Sequence, residues 1–271
     1  MYSLCLGGGG AKGAYQVGVL KALKEFDISI AAISGSSIGA LNGLFYLGCD
    51  IEKIEEGWLN LSKEDFLSID DDNLLNGICG RQGLIDTINK YVDFDRFYNS
   101  KILLFASVVN GDQISYVLLN KLTKEQIIDY VLASSAMPII YGEIKINGKA
   151  YVDGVVIDNI HIYPLINSDF QNIISVPLGD GLDTTGSIAI CPSIDLGGLI
   201  KGTLNFDKED IELRIKLGYL DALECLYNDF GKDIDILYVT KEKALLKSNF
   251  NLLETNKDIN RNLDILKKYG F

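Results

Sequence analysis

Two serines lie between two glycines at residues 35–39 (GSSIG), where one apolar segment ends and another begins. A serine hydroxyl becomes a nucleophile only when a base removes its proton and nearby donors stabilise the oxyanion that forms. The pattern G-x-S-x-G suits this chemistry, because Gly35 and Gly39 allow a strand and a helix to pass closely and turn Ser37 outward at the helix N-terminus. Ser36 is then expected to point elsewhere. A packing junction of small residues, without chemistry, fits the same pattern.

A glycine-rich segment at residues 7–13 (GGGGAKG) follows the first apolar run of the chain. It is not a nucleotide P-loop, because Lys12 is followed by Gly13 and no Ser or Thr is present to bind magnesium. The dinucleotide pattern G-x-G-x-x-G also fits poorly, because the second predicted strand leads into the serine turn and not to an acidic residue. Nucleotide binding is therefore the weaker interpretation of this segment.

Consecutive glycine amides can instead form a concave site for an anion. Beside the serine turn, the N–H groups of Gly8, Gly9 and Gly10 are predicted to form an oxyanion hole. A tight turn is the structural alternative, but one or two glycines would satisfy it.

The base that would activate Ser37 has two candidates. The order Ser37, Asp153, His161 matches the chain order of α/β-hydrolase triads, and His161 is the one histidine of the chain. His161 lies in an alternating run that favours a half-exposed strand or loop residue. We therefore predict that Asp153, followed by Gly154 at a strand end, takes the proton directly. Partial burial would raise its pKa above the free value of about 3.9. An ordinary Asp-Gly turn is the alternative.

The surrounding pattern of strand, glycine loop, helix, strand, turn and helix predicts an α/β fold with a mainly parallel central sheet. Two Asn-Gly pairs, at Asn110-Gly111 and Asn147-Gly148, predict hairpin turns. Predicted strands cover residues 2–6, 28–33, 101–109, 114–119, 143–146, 149–152, 173–178 and 233–239. Predicted helices cover residues 14–26, 52–66, 123–135, 208–230 and 256–269. No linker or repeat interrupts the chain, so residues 1–271 are expected to form a single domain.

Composition limits the possible partners and compartments. The 271 residues carry a formal net charge of −12, which repels nucleic acids and disfavours strong adsorption to anionic membranes. Five widely spaced cysteines indicate neither a disulfide framework nor a zinc site. A reducing cytoplasm fits best, with the cysteines acting as small apolar side chains. A cleaved signal peptide is not expected, because no basic residue precedes the first apolar run. The uncharged residues 28–49 are better explained by a buried strand and helix than by a membrane span. Residues 70–72 (DDD) are expected to form a solvated acidic loop without calcium.

Taken together, the motifs resemble those of the patatin-like phospholipase family, the Ser-Asp dyad lipid acyl hydrolases. The matching segments are residues 8–20 (GGGAKGAYQVGVL), 35–42 (GSSIGALN), 133–138 (ASSAMP) and 151–154 (YVDG). In order and spacing the resemblance extends over about the first 180 residues. The resemblance implies a three-layer α/β/α sandwich, with residues 181–271 adding C-terminal helices and a late strand to the same domain.

The resemblance also implies a function and a site. Ser37 is the expected nucleophile, Asp153 the base, and Gly8 to Gly10 the oxyanion hole, with support from Lys12, Gly13, Gly35, Gly39 and Gly154. No metal or organic cofactor is expected. The expected substrates are acyl esters of phospholipids, lysophospholipids or neutral lipids, with transient contact to a membrane surface.

Two positions depart from the family pattern. Val155 replaces the Gly or Ala that usually follows the Asp-Gly pair, and a β-branched side chain there could narrow the cleft or tilt Asp153. Asn159-Ile160-His161 has histidine where proline is usual, which changes the expected shape of that loop. A catalytically weak or inactive lipid-binding protein on the same fold is therefore the alternative function.

Overall fold

The structure is a computed structural model that describes residues 1–61, 81–138, 140–170 and 172–268. The acidic residues 70–72 and Cys79 lie outside the described residues. The other four cysteines are unpaired, and Cys5, Cys49 and Cys225 are buried while Cys191 is exposed.

One sheet runs through the centre of the molecule in the order β5-β6-β3-β2-β1-β7-β8, with β4 paired to β3. The pairs β1–β2, β1–β7, β2–β3 and β7–β8 are parallel, whereas β3–β4, β3–β6 and β5–β6 are antiparallel. The strands are β1 (Tyr2–Leu6), β2 (Ile30–Gly35), β3 (Leu103–Asn110), β4 (Gln113–Leu118), β5 (Ile144–Ile146), β6 (Lys149–Asp153), β7 (Ile173–Val176) and β8 (Ile188–Ala189).

Helices flank this sheet, so the predicted α/β class is confirmed. They are α1 (Ala14–Glu25), α2 (Ile38–Gly48), α3 (Ile51–Asn60), α4 (Gln82–Tyr91), α5 (Phe94–Asn99), α6 (Lys124–Ser134), α7 (Tyr163–Ile166), α8 (Lys208–Phe230) and α9 (Ile236–Lys268). Alternate strand residues separate the two faces. Leu4, Leu6 and Ile33 face the larger core with α1, α2 and α8, while Cys5 and Ala32 face a smaller cluster that includes Leu165 of α7.

Local sequence signals account for both hairpins and for the segment at residues 28–49. Asn147 and Gly148 both adopt positive φ, as a two-residue hairpin turn requires. Gly111 has φ of 58° in the turn between β3 and β4. The uncharged residues 28–49 form β2 and α2, and in the described residues no helix has both the length and the apolar character needed to cross a membrane.

The predicted late strand at residues 233–239 is wrong. Gly231 ends α8 in the left-handed conformation, with φ of 62°. Asp235 then caps a new helix, since its Oδ1 accepts hydrogen bonds from the amides of Leu237 and Tyr238. α9 therefore begins at Ile236 and includes the predicted closing helix. Its Val239 and Leu246 are buried one above the other, which is helical and not strand spacing.

Two strands meet end to end beside β3, and this arrangement positions the candidate site. β2 runs parallel to β3 and ends with Gly35 opposite Ala106. β6 runs antiparallel to β3 and ends with Asp153 opposite Val108. Because β4 occupies the other edge of β3, both strands lie on the same edge, and their C-terminal ends face each other. The residues that follow β2, including Ser37, are therefore brought next to Asp153.

Candidate active site

Ser37 occupies a sharp turn between β2 and α2. Its φ of 53° and ψ of −124° are unusual for a residue with a side chain, and such a conformation costs about 1–3 kcal/mol. The flanking glycines make the turn possible. A Cβ at Gly39 would lie 2.1 Å from the Leu6 carbonyl oxygen, and one at Gly35 would lie 2.5 Å from the Ala40 amide nitrogen. Backbone strain at a residue facing a cavity is expected of a nucleophilic serine.

The two serines of the turn differ in their surroundings. Ser37 is 7% exposed and lines a cavity, and its backbone N–H donates to Ser134 Oγ at 3.0 Å. Ser36 is 1% exposed, and its hydroxyl has no hydrogen-bond partner among the described residues. A ligand in the cavity would therefore meet the hydroxyl of Ser37 and not that of Ser36.

Asp153 is fully buried beside the serine turn. Burial raises its pKa to about 7, against smaller opposing effects from the Val155 amide and from the hydroxyls of Ser37 and Ser36. Oδ1 accepts a hydrogen bond from the Val155 N–H at 3.0 Å. Oδ2 has no partner of good hydrogen-bond geometry in the described part of the chain, although both hydroxyls are near enough to lower the pKa. The carboxylate thus has one oxygen available to receive a proton near neutral pH.

Gly154 is required for this placement of Asp153. A Cβ at Gly154 would lie 2.2 Å from Ser107 Oγ and 2.8 Å from Ser107 Cβ. Ser107 lies between the two β3 residues that face Gly35 and Asp153, and its hydroxyl donates to the Gly35 carbonyl at 3.4 Å. A larger residue at 154 would push the end of β6 away from β3.

The segment at residues 134–136 links the serine turn to Asp153. Ser134, the last residue of α6, accepts the hydrogen bond from the Ser37 amide, and the Ala136 carbonyl accepts one from the Asp153 amide at 3.1 Å. This segment belongs to the ASSAMP motif, but its pattern in the sequence did not show what its serines contact.

The glycine loop, defined here as residues 7–10, lies against both candidate catalytic residues. A Cβ at Gly8 would lie 2.4 Å from Val155 Cγ1 and 3.1 Å from Ser37 Cβ. The Gly8 N–H donates to Asn159 Oδ1 at 3.1 Å and is therefore already engaged. The amides of Gly9 and Gly10 make no hydrogen bond to a described residue. Within the described part of the chain, two of the three predicted oxyanion donors are thus without an acceptor.

A buried polar network supports the glycine loop from behind. Gln16 Nε2 donates to the Gly7 carbonyl at 2.8 Å, and Asn42 Nδ2 donates to Gln16 Oε1 at 2.9 Å. Asn42 Nδ2 also donates to the Gly13 carbonyl at 3.0 Å, and the Trp58 indole donates to Asn42 Oδ1. Gly13 has no room for a side chain, since a Cβ there would lie 2.5 Å from Ile38.

Lys12 and His161 both lie outside the group formed by Ser37 and Asp153. Lys12 is half-buried and its ammonium makes no hydrogen bond or ion pair with a described residue, and burial lowers its pKa. His161 was expected to be half-exposed but is buried, with its ring 5.5 Å from that of Tyr116. Burial lowers its pKa, and its polar contacts are with the backbone of Gly154 and Asp158. These contacts do not include the Ser37 hydroxyl.

A narrow cavity opens beside Ser37 and Gly10. Its volume is about 50 Å³, enough for a few water molecules but not for an acyl chain. The apolar part of its lining consists of Ile38, Leu84, Met137, Ile140, Leu204 and Phe206. A larger cavity, of about 400 Å³, lies at the other end of α2 and contains none of the motif residues.

One wall of the narrow cavity is the segment at residues 199–206. The Thr203 carbonyl packs against Gly10, where a Cβ would lie 2.4 Å from its oxygen. Arg214 of α8 is buried and holds this segment, because its guanidinium donates to the carbonyls of Lys201, Gly202 and Asn205 at 3.0–3.2 Å. The sequence did not indicate this role, since Arg214 lies within the helical pattern of α8.

Comparison with known proteins identifies the family of the chain. The family model of the patatin-like phospholipases matches residues 4–166, which include the glycine loop, the serine turn and Asp153. The chain belongs to this family. Lysophospholipase NTE1 of Cryptococcus neoformans is 30% identical over 200 residues, which are 67% of this chain and 11% of that protein. An uncharacterized NTE family protein of Mycobacterium tuberculosis is 22% identical over 180 residues, 64% of this chain and 48% of that protein.

A solved structure of the same general architecture is VipD from Legionella pneumophila, with a TM-score of 0.53 at 15% identity. The alignment covers 83% of this chain and 66% of VipD, and it supports the patatin-like fold. The chain spans about a tenth of the length of the lysophospholipase relative.

Proposed function

We propose that the protein is a serine esterase that hydrolyses acyl ester bonds of lipids, of the phospholipase A or lysophospholipase type. The observation that carries this proposal is the pairing of a strained, cavity-facing Ser37 with a buried Asp153 whose pKa is about 7. Membership of the patatin-like phospholipase family supports the same reaction class.

In the first half of the reaction, the Ser37 hydroxyl attacks the ester carbonyl carbon and its proton passes to Oδ2 of Asp153. The oxyanion that forms accepts hydrogen bonds from the Gly9 and Gly10 amides, which have no acceptor among the described residues. Collapse of the tetrahedral intermediate breaks the ester C–O bond. The leaving alcohol takes the proton from Asp153, and the acyl group remains on Ser37.

In the second half, water attacks the acyl-enzyme while Asp153 accepts a proton from it. The fatty acid leaves as Ser37 recovers its hydroxyl proton from Asp153. No histidine is needed, because a carboxylate with a pKa near 7 is a better base than an exposed aspartate.

The cavity lining favours an acyl chain over a polar ligand, since the side chains near Ser37 are largely apolar. The present volume of about 50 Å³ is too small for such a chain, so the walls must separate when substrate enters. One of these walls is the segment at residues 199–206. It ends in Leu204 and Phe206 inside the cavity and carries exposed Leu199 and Ile200 outside.

Labelling with a fluorophosphonate probe at pH 9 tests the dyad directly, because the probe reacts with activated serines. We expect wild type to be labelled and Ser37→Ala and Asp153→Asn not to be. Ser36→Ala should still react, because its hydroxyl does not reach the cavity. Ser168→Ala is the matched control, since that hydroxyl donates to the Pro164 carbonyl away from the dyad.

Unlabelled wild type and the same variants would then be tested for hydrolysis of lysophospholipid and of a soluble short-chain ester. Hydrolysis of every ester at the wild-type rate by Ser37→Ala would contradict the proposal. A folded wild type that binds acyl lipid but neither reacts with the probe nor hydrolyses any ester would favour the lipid-binding alternative.

A further inference from the structure

The side chain of Asn159 makes two hydrogen bonds with one residue of the glycine loop. Its Oδ1 accepts from the Gly8 N–H at 3.1 Å, and its Nδ2 donates to the Gly8 carbonyl at 3.2 Å. The two residues are 151 positions apart in the sequence. One carboxamide therefore contacts both peptide groups that flank the Cα of Gly8.

The first of these peptide groups, between Gly7 and Gly8, is held from two sides. The N–H of this peptide group, on Gly8, donates a hydrogen bond to Asn159 Oδ1. Its carbonyl, on Gly7, accepts a hydrogen bond from Gln16 Nε2 at 2.8 Å. The Gly7 amide in turn donates to the Val176 carbonyl of β7 at 3.2 Å. This part of the loop is consequently fixed to the sheet without help from Gly9.

The second peptide group, between Gly8 and Gly9, is held from one side. Its carbonyl accepts from Asn159 Nδ2, while the Gly9 N–H has no acceptor among the described residues. A trans peptide is planar, so its N–H points opposite to its C=O. Asn159 therefore fixes the direction of the Gly9 N–H by holding the Gly8 carbonyl.

Glycine on both sides makes this constraint necessary. A peptide between two glycines can rotate into other orientations at little steric cost, because neither residue has a Cβ. Side chains cannot be added to limit that rotation, since a Cβ at Gly8 would overlap Val155 and one at Gly9 would lie 3.0 Å from Leu178. A hydrogen bond from outside the loop supplies the constraint that the loop itself lacks.

Asn159 is itself held in place by the segment that follows Asp153. Asp158 Oδ1 accepts from the amides of Asn159 and Ile160 at 2.7 and 3.3 Å. The amides of Ile157 and Asp158 donate to the Gly154 carbonyl. The chain that positions the base thus also positions the side chain that orients the glycine loop.

We infer that Asn159 is a positioning residue that directs the Gly9 amide toward the oxyanion of the reacting ester. This inference rests on the proposed esterase function and adds a residue to it. Asn159 does not contact the reacting atoms, and it acts through the Gly8–Gly9 peptide group.

The test compares Asn159→Asp and Asn159→Leu with wild type. Aspartate keeps the acceptor for the Gly8 N–H but turns the donor to the Gly8 carbonyl into a repelling oxygen. Leucine keeps a similar volume and removes both hydrogen bonds. The matched control is Asn167→Asp, an exposed asparagine at the end of α7 whose side chain makes no hydrogen bond to a described residue.

We expect kcat for a soluble ester to fall by about tenfold to hundredfold in both Asn159 variants, since an oxyanion donor is worth about 10²–10³ in kcat. KM should stay within about twofold of wild type in both variants, because ground-state binding is unaffected. In Asn159→Leu the acid limb of the pH profile should also stay within about 0.3 pH unit of wild type. In Asn159→Asp the added negative charge near Asp153 should move this limb to higher pH. A trifluoromethyl ketone inhibitor, whose hemiketal oxyanion resembles the intermediate, should bind more weakly by the same factor as kcat falls. The control should match wild type.

Hydrogen exchange of the Gly8 amide separates this inference from the proposed function. It should be slower in wild type than in Asn159→Leu, whether or not the protein hydrolyses an ester. An active wild type with unchanged kcat and inhibitor binding in Asn159→Asp would overturn the inference alone. Equal losses of kcat and substrate affinity together with a lower Tm would reduce Asn159 to a structural role. Slow Gly8 exchange in a wild type that hydrolyses no ester would overturn the esterase proposal, and the catalytic role of Asn159 with it.

Discussion

Asp153 combines two properties that usually exclude each other, complete burial and an oxygen free to accept a proton. Burial disfavours its charged form and raises its pKa to about 7, while the Val155 amide and two serine hydroxyls limit that rise. A free aspartate has a pKa of about 3.9 and is a weak base. The environment of Asp153 therefore makes a direct Ser-Asp dyad chemically reasonable near neutral pH.

The first prediction concerns the pH dependence of kcat/KM. Asp153 acts as a base only when it is ionised, so kcat/KM for a soluble ester should rise tenfold per pH unit below about 7 and level off above it. In Ser36→Ala the rising part of this curve, its acid limb, should move to higher pH, because the Ser36 hydroxyl lowers the pKa of Asp153. Initial rates between pH 5 and 9 measure both curves. A limb near pH 4, or a shift to lower pH in Ser36→Ala, would contradict the assignment of Asp153 as the base.

The second prediction concerns stability. The pKa of Asp153 is raised from 3.8 to about 7, so the folded state holds its proton more tightly than the unfolded state. The free energy of unfolding should therefore fall as pH rises between these two values and stay low above them. Asp153→Asn, which is neutral at every pH, should have a Tm a few degrees above wild type at pH 9.

The same measurement at lower pH provides the check on this argument. The Tm difference between Asp153→Asn and wild type should shrink toward pH 5, where folded Asp153 is protonated. Asp112→Asn, at an exposed turn, should match wild type at both pH values. An Asp153→Asn variant that is less stable than wild type at pH 9 would show that the buried carboxylate stabilises the fold.

At the level of single residues, the sequence predicts the parts of the site that depend on local geometry. The G-x-S-x-G turn and the Asp-Gly pair are short motifs, and the structure brings Ser37 and Asp153 together. Ser134 and Asn159 could not be assigned in this way. Their partners lie 97 and 151 positions away, and no local pattern encodes such contacts. The engagement of the Gly8 amide was missed for the same reason.

At the level of elements, α1 and α8 cross in close contact. Each helix presents a glycine to the backbone of the other. A Cβ at Gly18 would lie 1.9 Å from the Ile215 carbonyl oxygen, and one at Gly218 would lie 1.9 Å from the Tyr15 carbonyl oxygen. Since α1 begins directly after the glycine loop, this crossing also fixes where that loop emerges from the sheet.

The third prediction is that Gly18→Ala and Gly218→Ala are each destabilising by about 2 kcal/mol or more, because overpacking against backbone forces the helices apart. This loss should exceed the gain of about 1 kcal/mol that alanine brings to a helix interior. Gly57→Ala in α3 is the control, since its Cβ would meet Tyr91 at an ordinary 3.5 Å. Urea unfolding measures all three. Equal stability of Gly18→Ala and Gly57→Ala would mean that the helices separate without cost.

The type of an element could be predicted from the sequence where periodicity and turn residues agree. The prediction failed where these two signals compete. β1, α1 and the hairpin at Asn147-Gly148 follow from local sequence. Residues 233–239 contain Ile234, Ile236 and Val239, which favour a strand by composition. Capping by Asp235 and packing of Val239 against the core outweigh that preference. The end-to-end meeting of β2 and β6 also could not be predicted, because it depends on the register of both strands on β3.

At the level of the whole molecule, exposed apolar side chains lie on the two segments that contact the glycine loop. We call Val156, Ile157, Leu199 and Ile200 the apolar rim, and they are between 48% and 80% exposed. Val155, beside two of them, packs against Gly8, and Thr203, near the other two, packs against Gly10. The net charge of −12 disfavours anionic membranes. A zwitterionic lipid surface is therefore the partner that we propose for this rim.

The fourth prediction is that Ile157→Asp and Ile200→Asp reduce hydrolysis of lysophospholipid presented in phosphatidylcholine vesicles by tenfold or more. A carboxylate at a lipid interface must be desolvated, whereas the same side chain in water is harmless. Hydrolysis of a soluble ester should remain within about twofold of wild type, since neither side chain lines the cavity. Leu237→Asp is the matched control, because Leu237 is 71% exposed and lies outside the rim, at the start of α9. It follows the C-terminal end of α8, whereas residues 199–206 precede the N-terminal end of that helix. Equal losses of activity on vesicles and on the soluble ester would place the effect in the cavity wall. No loss of activity on vesicles would mean that substrate reaches Ser37 without contact between the rim and the lipid surface.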